Sequence, residues 1–372
     1  MHKPNLILLP LLLLLPLINT ACTVPDSQVV QQADAMNKQL DPAVMTDAQL
    51  ASYLQKVGDR IIESAKEFDA EHQGPKTHFQ ENSQWMFGQN MKFHFVNSKT
   101  LNAFTTGGEH MYIYNELFQK TKSEDELAAV MAHEYAHVYA RHVGQGMKRQ
   151  YTALAAAAAL GGAGYLAGGK EHGAEYAALG AGAGAMGGQF INMGFTRKDE
   201  NEADQWGFNF YTRAGWQPDH FADFFKSMIA MGYDKTPEMV SDHPTLANRV
   251  KATEERVQKL PPNAKQWLRP PIASPAEYRQ IQARANQLAK TLPDDKSLAN
   301  SQQLLQALPR SCVAPEDPAD AIHARQEIAR KAEEAQKKQQ QQQAAPQSSA
   351  QPDDTTSSTP PKKKKKPAAE TY

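Results

Sequence analysis

Cysteine is nearly absent from this chain: Cys22 and Cys312 are the only two in 372 residues. That excludes a disulfide-rich scaffold, so folding must rest on packing or on a metal. Charge of one sign is missing as well. The formal net charge is −1, which gives no reason to expect nucleic acid as a partner. No apolar run near the start is long enough to cross a bilayer. The Leu-rich stretch from Leu6 to Ile18 falls short of a hydrocarbon core of about 30 Å at about 1.5 Å per residue. What remains is a chain large enough to bury a substantial core, with room for tails.

The N-terminal "MHKPNLILLPLLLLLPLINTAC" has one Lys, an uncharged core and small residues before Cys22, the layout of a processing signal. Thr20, Ala21 and Cys22 resemble the bacterial lipobox, although Asn19 stands where Leu is usual. The resemblance implies cleavage after residue 21 and a lipidated Cys22. Thr23 is not the aspartate that favours inner-membrane retention, so the expectation is an outer-membrane lipoprotein facing the periplasm.

At the other end, residues 326–372 run from "EIARKAEEAQKKQQQQQ" into a segment rich in Pro, Ser and Lys that has almost nothing to bury. They read as a disordered tail. The run from Lys362 to Lys366 reads as a solvated end, with contact to anionic lipid as the alternative. A proline-rich junction, "LPPNAKQWLRPPIASP", precedes residues that read as one or two helices. The expected division is therefore a signal at 1–21, a linker at 22–40, a main domain at 41–260, a helical accessory region at 261–325 and the tail.

Within the main domain, "MKFHFVNS" alternates as a half-buried strand does, with Phe93 and Phe95 on one side, and "HMYIYNELF" opens the same way after Gly107 and Gly108. Then "SEDE" at 123–126 predicts a capping box, Ser123 accepting from the Glu126 amide while the Glu126 carboxylate reaches back. Apolar residues recur at helical spacing from Leu127 with no Gly or Pro until Gly144, which predicts one helix of about twenty residues. Residues 152–188 are Ala- and Gly-rich. They predict two closely packed helices rather than a membrane hairpin.

The predicted helix carries "HEYAH". His133 and His137 lie about 40° apart and one turn removed, so both imidazoles can meet one ion. Glu134 lies to the side, placed to act on water as general base. His142, about 180° round the same helix from His133, reads as a capping or packing residue rather than a ligand. A chance HExxH in a chain of this kind is on the order of a two-in-a-hundred event, so a third ligand is the stronger test. "RKDENEADQWGFNFYTR" supplies it: Glu200 can complete a His2Glu set, and Asp204, one turn on, can accept from a ligand histidine. Small Ala203 lets the two helices approach. The plain alternative for Glu200, Glu202 and Asp204 is a solvated acidic face.

"HEYAH" followed by "ENEAD" resembles the HtpX-type and CAAX-prenyl-protease family of zinc endopeptidases, peptidase family M forty-eight, a gluzincin group. "NAFTTGGEHMYIYNELF" resembles the family's edge-strand segment, with Thr106 where proline is common, and "DHPTLANRV" resembles its H-P element. The similarity spans roughly residues 55–257. The lipobox and the absence of several strong membrane spans place it nearest the periplasmic lipoprotein members, and no tetratricopeptide-like repeat is read after residue 260, so the chaperone-like members bearing such repeats are a poorer match.

The resemblance implies an α+β fold, mainly α-helical: a gluzincin-type domain whose small β-sheet has its edge strand beside the HExxH helix. It implies one zinc ion per chain on His133, His137 and Glu200, with Glu134 as base. His243 is implied to lie near the metal as latch or donor, and Arg249 to face substrate or support the ligands. The plain alternatives are a cap before Pro244 and a structural ion pair. Gly108, His110 and Tyr112, on the strand around 108–114, with Gly107 just before it, are expected to take an extended polypeptide as an added strand. The implied substrates are unfolded or misassembled envelope proteins. A zinc-latched, chaperone-like assembly factor with little turnover is the competing reading, and possible partners include the outer-membrane assembly apparatus.

Overall fold

The computed structural model describes residues 24–72, 83–159, 194–233 and 244–308, with the backbone alone over 153–159. Residues 26–40 form a helix, α1 (Asp26–Leu40), where sequence suggested a linker. Val29, Ala33, Met36 and Leu40 recur at helical spacing and are all buried, so the segment has an apolar stripe that requires a partner. The long α2 (Ala48–His72) follows, with the Asp47 carboxylate accepting from the amides of Gln49 and Leu50 at its start.

A three-stranded sheet comes next: β1 (Lys92–Val96), β2 (Ala103–Thr105) and β3 (His110–Tyr114). Its order is β1-β3-β2, with β1 parallel and β2 antiparallel to β3. Period-two alternation divides β3 between two cores. Met111 and Ile113 join Phe93 and Phe95 in the main core, while Tyr112 and Tyr114 join Phe104 beneath α1. Fully burying an aliphatic or aromatic side chain contributes about 1.5–3 kcal/mol, so both faces of this small sheet are anchored.

After a short α3 (Asn115–Lys120) comes α4 (Glu124–Tyr139). Half of the predicted capping box forms: Ser123 accepts from the Glu126 amide at 3.3 Å. The Glu126 carboxylate instead accepts from the Lys122 amide at 2.8 Å and the Ser227 hydroxyl at 2.9 Å. The helix is also shorter than predicted. It stops at Tyr139, Arg141 takes a left-handed φ of 56°, and a new helix, α5 (His142–Ala159), leaves in another direction. The elbow is held from outside by Asp26, whose carboxylate accepts from Arg141 Nε at 2.9 Å and Nη2 at 2.8 Å. A left-handed non-glycine residue is costly, and a bidentate ion pair from another helix is the kind of contact that holds it. The remainder of the Ala/Gly-rich stretch lies outside the described residues. Among the described residues, no helix is long and apolar enough to cross a membrane.

The chain continues through α6 (Arg197–Arg213), α7 (Asp223–Ala230), α8 (Leu246–Gln258), α9 (Pro275–Ala289) and α10 (Lys296–Ala307). A capping box starts α6, with Thr196 and Asp199 bonding each other's amides. Beyond residue 260 the chain does not separate from the body. Tyr278, Ile281 and Ala285 of α9 belong to the main core, and Leu298 and Leu305 of α10 cover α1.

Candidate metal centre

Two helices build the site, and α4 with α6 is the helix pair in most extensive contact among the described residues. Ala203 is fully buried between them, and a Cβ added to Gly207 would lie 3.0 Å from the backbone N and Cα of His133. Sequence pointed to Ala203. Gly207, one turn on along the same stripe, was missed and brings α6 against the backbone of α4.

That approach sets Glu200 beside the two imidazoles. His133 Nε2 lies 3.1 Å from His137 Nε2 and 3.5 Å from Glu200 Oε2, and His137 Nε2 lies 3.7 Å from Glu200 Oε1. Zinc bonds of about 2.0–2.1 Å in a tetrahedron separate ligand atoms by about 3.3 Å, so the three gaps bracket the required edge. Among the described residues this trio is the cluster suited to a metal ion, its ligand atoms all within 4.8 Å of one another. Glu134 shares the turn and, like His137 and Glu200, is fully buried.

Behind His133 the support is a carboxylate and a guanidinium. Asp204 Oδ1 is 2.9 Å from His133 Nδ1, which leaves Nε2 with its lone pair toward the other ligands. Arg249 donates to Asp204 twice, from Nε at 2.8 Å and Nη2 at 2.6 Å, and its guanidinium lies 4.1 Å from the centre of the Phe225 ring. Burial alone would raise the Asp204 carboxyl, but Arg249 and His133 hold it well below the usual carboxylate range. Burial and Arg249 pull His133 down, yet Asp204 and Glu200 outweigh them and hold it up to about 9. Of the roles left open for Arg249, support of the ligands is the arrangement observed: Nε and Nη2 donate to Asp204, Nη2 also lies 3.1 Å from His133 Nδ1, and Nη1 is 4.0 Å from Glu200 Oε2. Ligation takes the imidazoles in their neutral form, displacing the proton that Asp204 and Glu200 favour on His133; in that form Glu134, Glu200, Asp204 and Arg249 give this buried cluster a formal charge of −2, which a divalent cation balances. The donor set, its spacing and its charge all fit zinc.

His142 sits elsewhere than predicted. The elbow at Arg141 turns it back, so that His142 Nδ1 is 3.0 Å from His137 Nδ1 and the ring is fully buried. Its Nε2 faces Glu202 Oε2 at 3.6 Å and Asp199 Oδ1 at 4.0 Å. Phe195 stacks on the other side of the His137 ring, with centroids 3.9 Å apart.

The expected polypeptide strand requires correction. The strand at 110–114 is central, with β1 and β2 hydrogen-bonded on its two sides, so its backbone cannot receive a further strand. A Cβ on Gly107, at φ 72°, would meet Val143 at 2.3 Å, and one on Gly108 would meet Ala33 at 2.6 Å. The glycine pair therefore packs beneath α5 and α1. Tyr112 is buried with its hydroxyl donating to Asn37, and His110 lies between His94 and Asp34, at 3.0 Å and 3.1 Å. The strand beside α4 is β2, at the end of the sheet order. His243 and Cys22 lie outside the described residues.

Comparison with known proteins agrees with this geometry. Residues 77–257 match the sequence profile of Peptidase family M48. The chain is 31% identical to a putative beta-barrel assembly-enhancing protease of Vibrio cholerae over 67% of its own length and 48% of that protein. It is 26% identical to the beta-barrel assembly-enhancing protease of Escherichia coli, over 76% and 54% respectively. Metalloprotease LoiP of Escherichia coli is 25% identical over 46% of this chain and 64% of that protein. The chain thus spans about half the length of the beta-barrel assembly-enhancing relatives it matches. With HExxH and its glutamate partner brought together inside the matched region, residues 77–257 form a domain of peptidase family M48.

Proposed function

We propose that this protein is a zinc-dependent endopeptidase of the cell envelope that hydrolyses unfolded or misassembled outer-membrane proteins. The observation that carries the reading is Glu134, buried on α4 between His133 and the rest of the HExxH turn, alongside a complete His2Glu set. A protein that only holds polypeptides has no use for that carboxylate. The names of the relatives, which couple protease activity with beta-barrel assembly, support the substrate class.

His133, His137 and Glu200 would hold a zinc ion, which would supply Lewis acidity to water and to the scissile carbonyl. Glu134 accepts the water proton and returns it to the departing amine, so no covalent intermediate with the chain is needed. Asp204, clamped by Arg249, keeps His133 in one tautomer and orientation throughout. The buried surroundings exclude competing water and strengthen each of these contacts. Lipidation of Cys22 would place this machinery at the outer membrane, facing the periplasm, where assembly partners are met.

The test uses zinc-loaded wild type and Glu134→Gln, each with an unfolded β-barrel protein and with the same protein folded. Fragments are expected from wild type on the unfolded form alone. They should disappear on chelation, and in Glu134→Gln turnover should fall by at least about 100-fold with zinc retained. Equal cleavage by the two proteins, or none by zinc-loaded wild type, would sink the reading.

A further inference from the structure

The two ligand histidines are backed differently. His133 meets a carboxylate directly, Asp204 at 2.9 Å, as ligand histidines usually do. His137 instead has an imidazole behind it: His142 Nδ1 stands 3.0 Å from His137 Nδ1. Two Nδ1 atoms at that distance share one proton, so one ring donates and the other accepts. The Nε2 of His137 faces His133 and Glu200, which requires its lone pair there and its proton on Nδ1. His142 must then accept at Nδ1 and carry its own proton on Nε2, the atom that faces Glu202. Glu202 Oε2 lies 3.6 Å from that atom, and the other carboxylate oxygen accepts from Trp206 Nε1 at 3.4 Å. Every member of the row has one compatible tautomer.

We infer that His142 is a positioning residue of the zinc centre, with Glu202 fixing the His142 tautomer and His142 fixing the orientation of His137. The inference rests on the reading of His133, His137 and Glu200 as zinc ligands. No proton enters or leaves the row. Its contribution is to hold the His137 lone pair on the metal, and the Arg141 elbow, held by Asp26, is what brings His142 into place.

The test measures zinc affinity of the full chain by competition with a chromophoric chelator, together with the melting temperature of the metal-free protein. His142→Leu removes the acceptor while keeping an apolar filling. His142→Asn keeps an acceptor oxygen close to where Nδ1 stands. Zinc affinity is expected to fall about 10–100-fold in His142→Leu, with the metal-free melting temperature held, and to recover most of the loss in His142→Asn. The far-downfield Nδ1 proton resonance of His137 should survive in Asn and vanish in Leu. Wild-type zinc affinity in His142→Leu, or equal loss in both variants, overturns the inference. If His142→Leu does not fold, Glu202→Ala decides: an affinity several-fold lower at unchanged metal-free stability upholds it, and unchanged affinity overturns it. Failure of the wild type to bind zinc would remove the metal reading itself, an outcome distinct from these.

Discussion

At the scale of single residues, His94 shows how burial can write a pH response. Its ring packs against Tyr112, with centroids 5.1 Å apart, and its Nε2 meets His110. Burial, with His110 and Lys92 adding to it, holds His94 down to about 4, from 6.5 in an open chain. The folded protein therefore carries fewer protons than the unfolded one between these values. The stability that goes with a neutral His94 is complete above pH 6.5 and drains away as the pH falls toward 4. Melting temperature followed from pH 7 to pH 4 should decline in wild type, and the decline should be shallower in His94→Gln; parallel curves would exclude His94 as its source. His133 and His137 of the candidate metal cluster are the residues most open to sequence reading, since a spacing of four on a helix brings their rings to one face. His142 was not, because its placement depends on Arg141 leaving the helical region, and nothing at 131–142 signals that. The Asp26 carboxylate that holds Arg141 lies 115 positions away.

Elements decide whether those residues meet. Glu200 approaches His133 only because α6 presents Ala203 and Gly207 to α4, and the contact at Gly207 is with backbone, which cannot swing aside. Gly207→Val is expected to push the helices apart, at about 1–3 kcal/mol in stability from overpacking, and to weaken zinc binding by a larger factor than the global destabilisation accounts for. Chemical denaturation beside a chelator competition checks this. Equal zinc affinity in variant and wild type would show that Glu200 tolerates the shift. Sequence reading found α4, the start of α6 and the strands β1 and β3, all of which have clear periodicity. It took the peptide-receiving edge to be at 108–114 from a resemblance to an edge-strand segment over 102–118, where the alternation itself reads only as a half-buried strand. In the fold both of its faces are covered, Tyr112 and Tyr114 by α1 and α10, Met111 and Ile113 by the main core. Tyrosine serves as polar or apolar, and only the covering helices determine which.

Across the whole molecule, the expected boundary at residue 260 dissolves at Glu124. This buried carboxylate accepts from the Tyr53 hydroxyl at 3.2 Å, the Trp216 indole at 3.0 Å and the amides of Ile272 and Ala273, both at 2.7 Å. Four donors from three parts of the chain converge on the first turn of the active helix, and Arg284 adds a bidentate pair to Asp47 at the head of α2. The proline-rich junction is a well-bonded seam rather than a linker. Composition could not show this, because a seam and a linker use the same prolines and differ only in where their amides point.

The N-terminal helix has a related consequence, which concerns distance rather than stability. With Cys22 lipidated, four peptide steps separate the membrane anchor from Asp26, a leash of at most about 14 Å. Asp26 holds Arg141, and the next residue, His142, touches His137 of the candidate metal cluster. The cutting centre would then ride at a fixed, low height above the lipid, reaching only polypeptide that emerges close to the bilayer. A flexible spacer of about twenty residues inserted between Thr23 and Val24 should leave cleavage of a soluble unfolded protein unchanged and slow cleavage of a membrane-stalled one, and equal rates on both would show that the tether sets no working height.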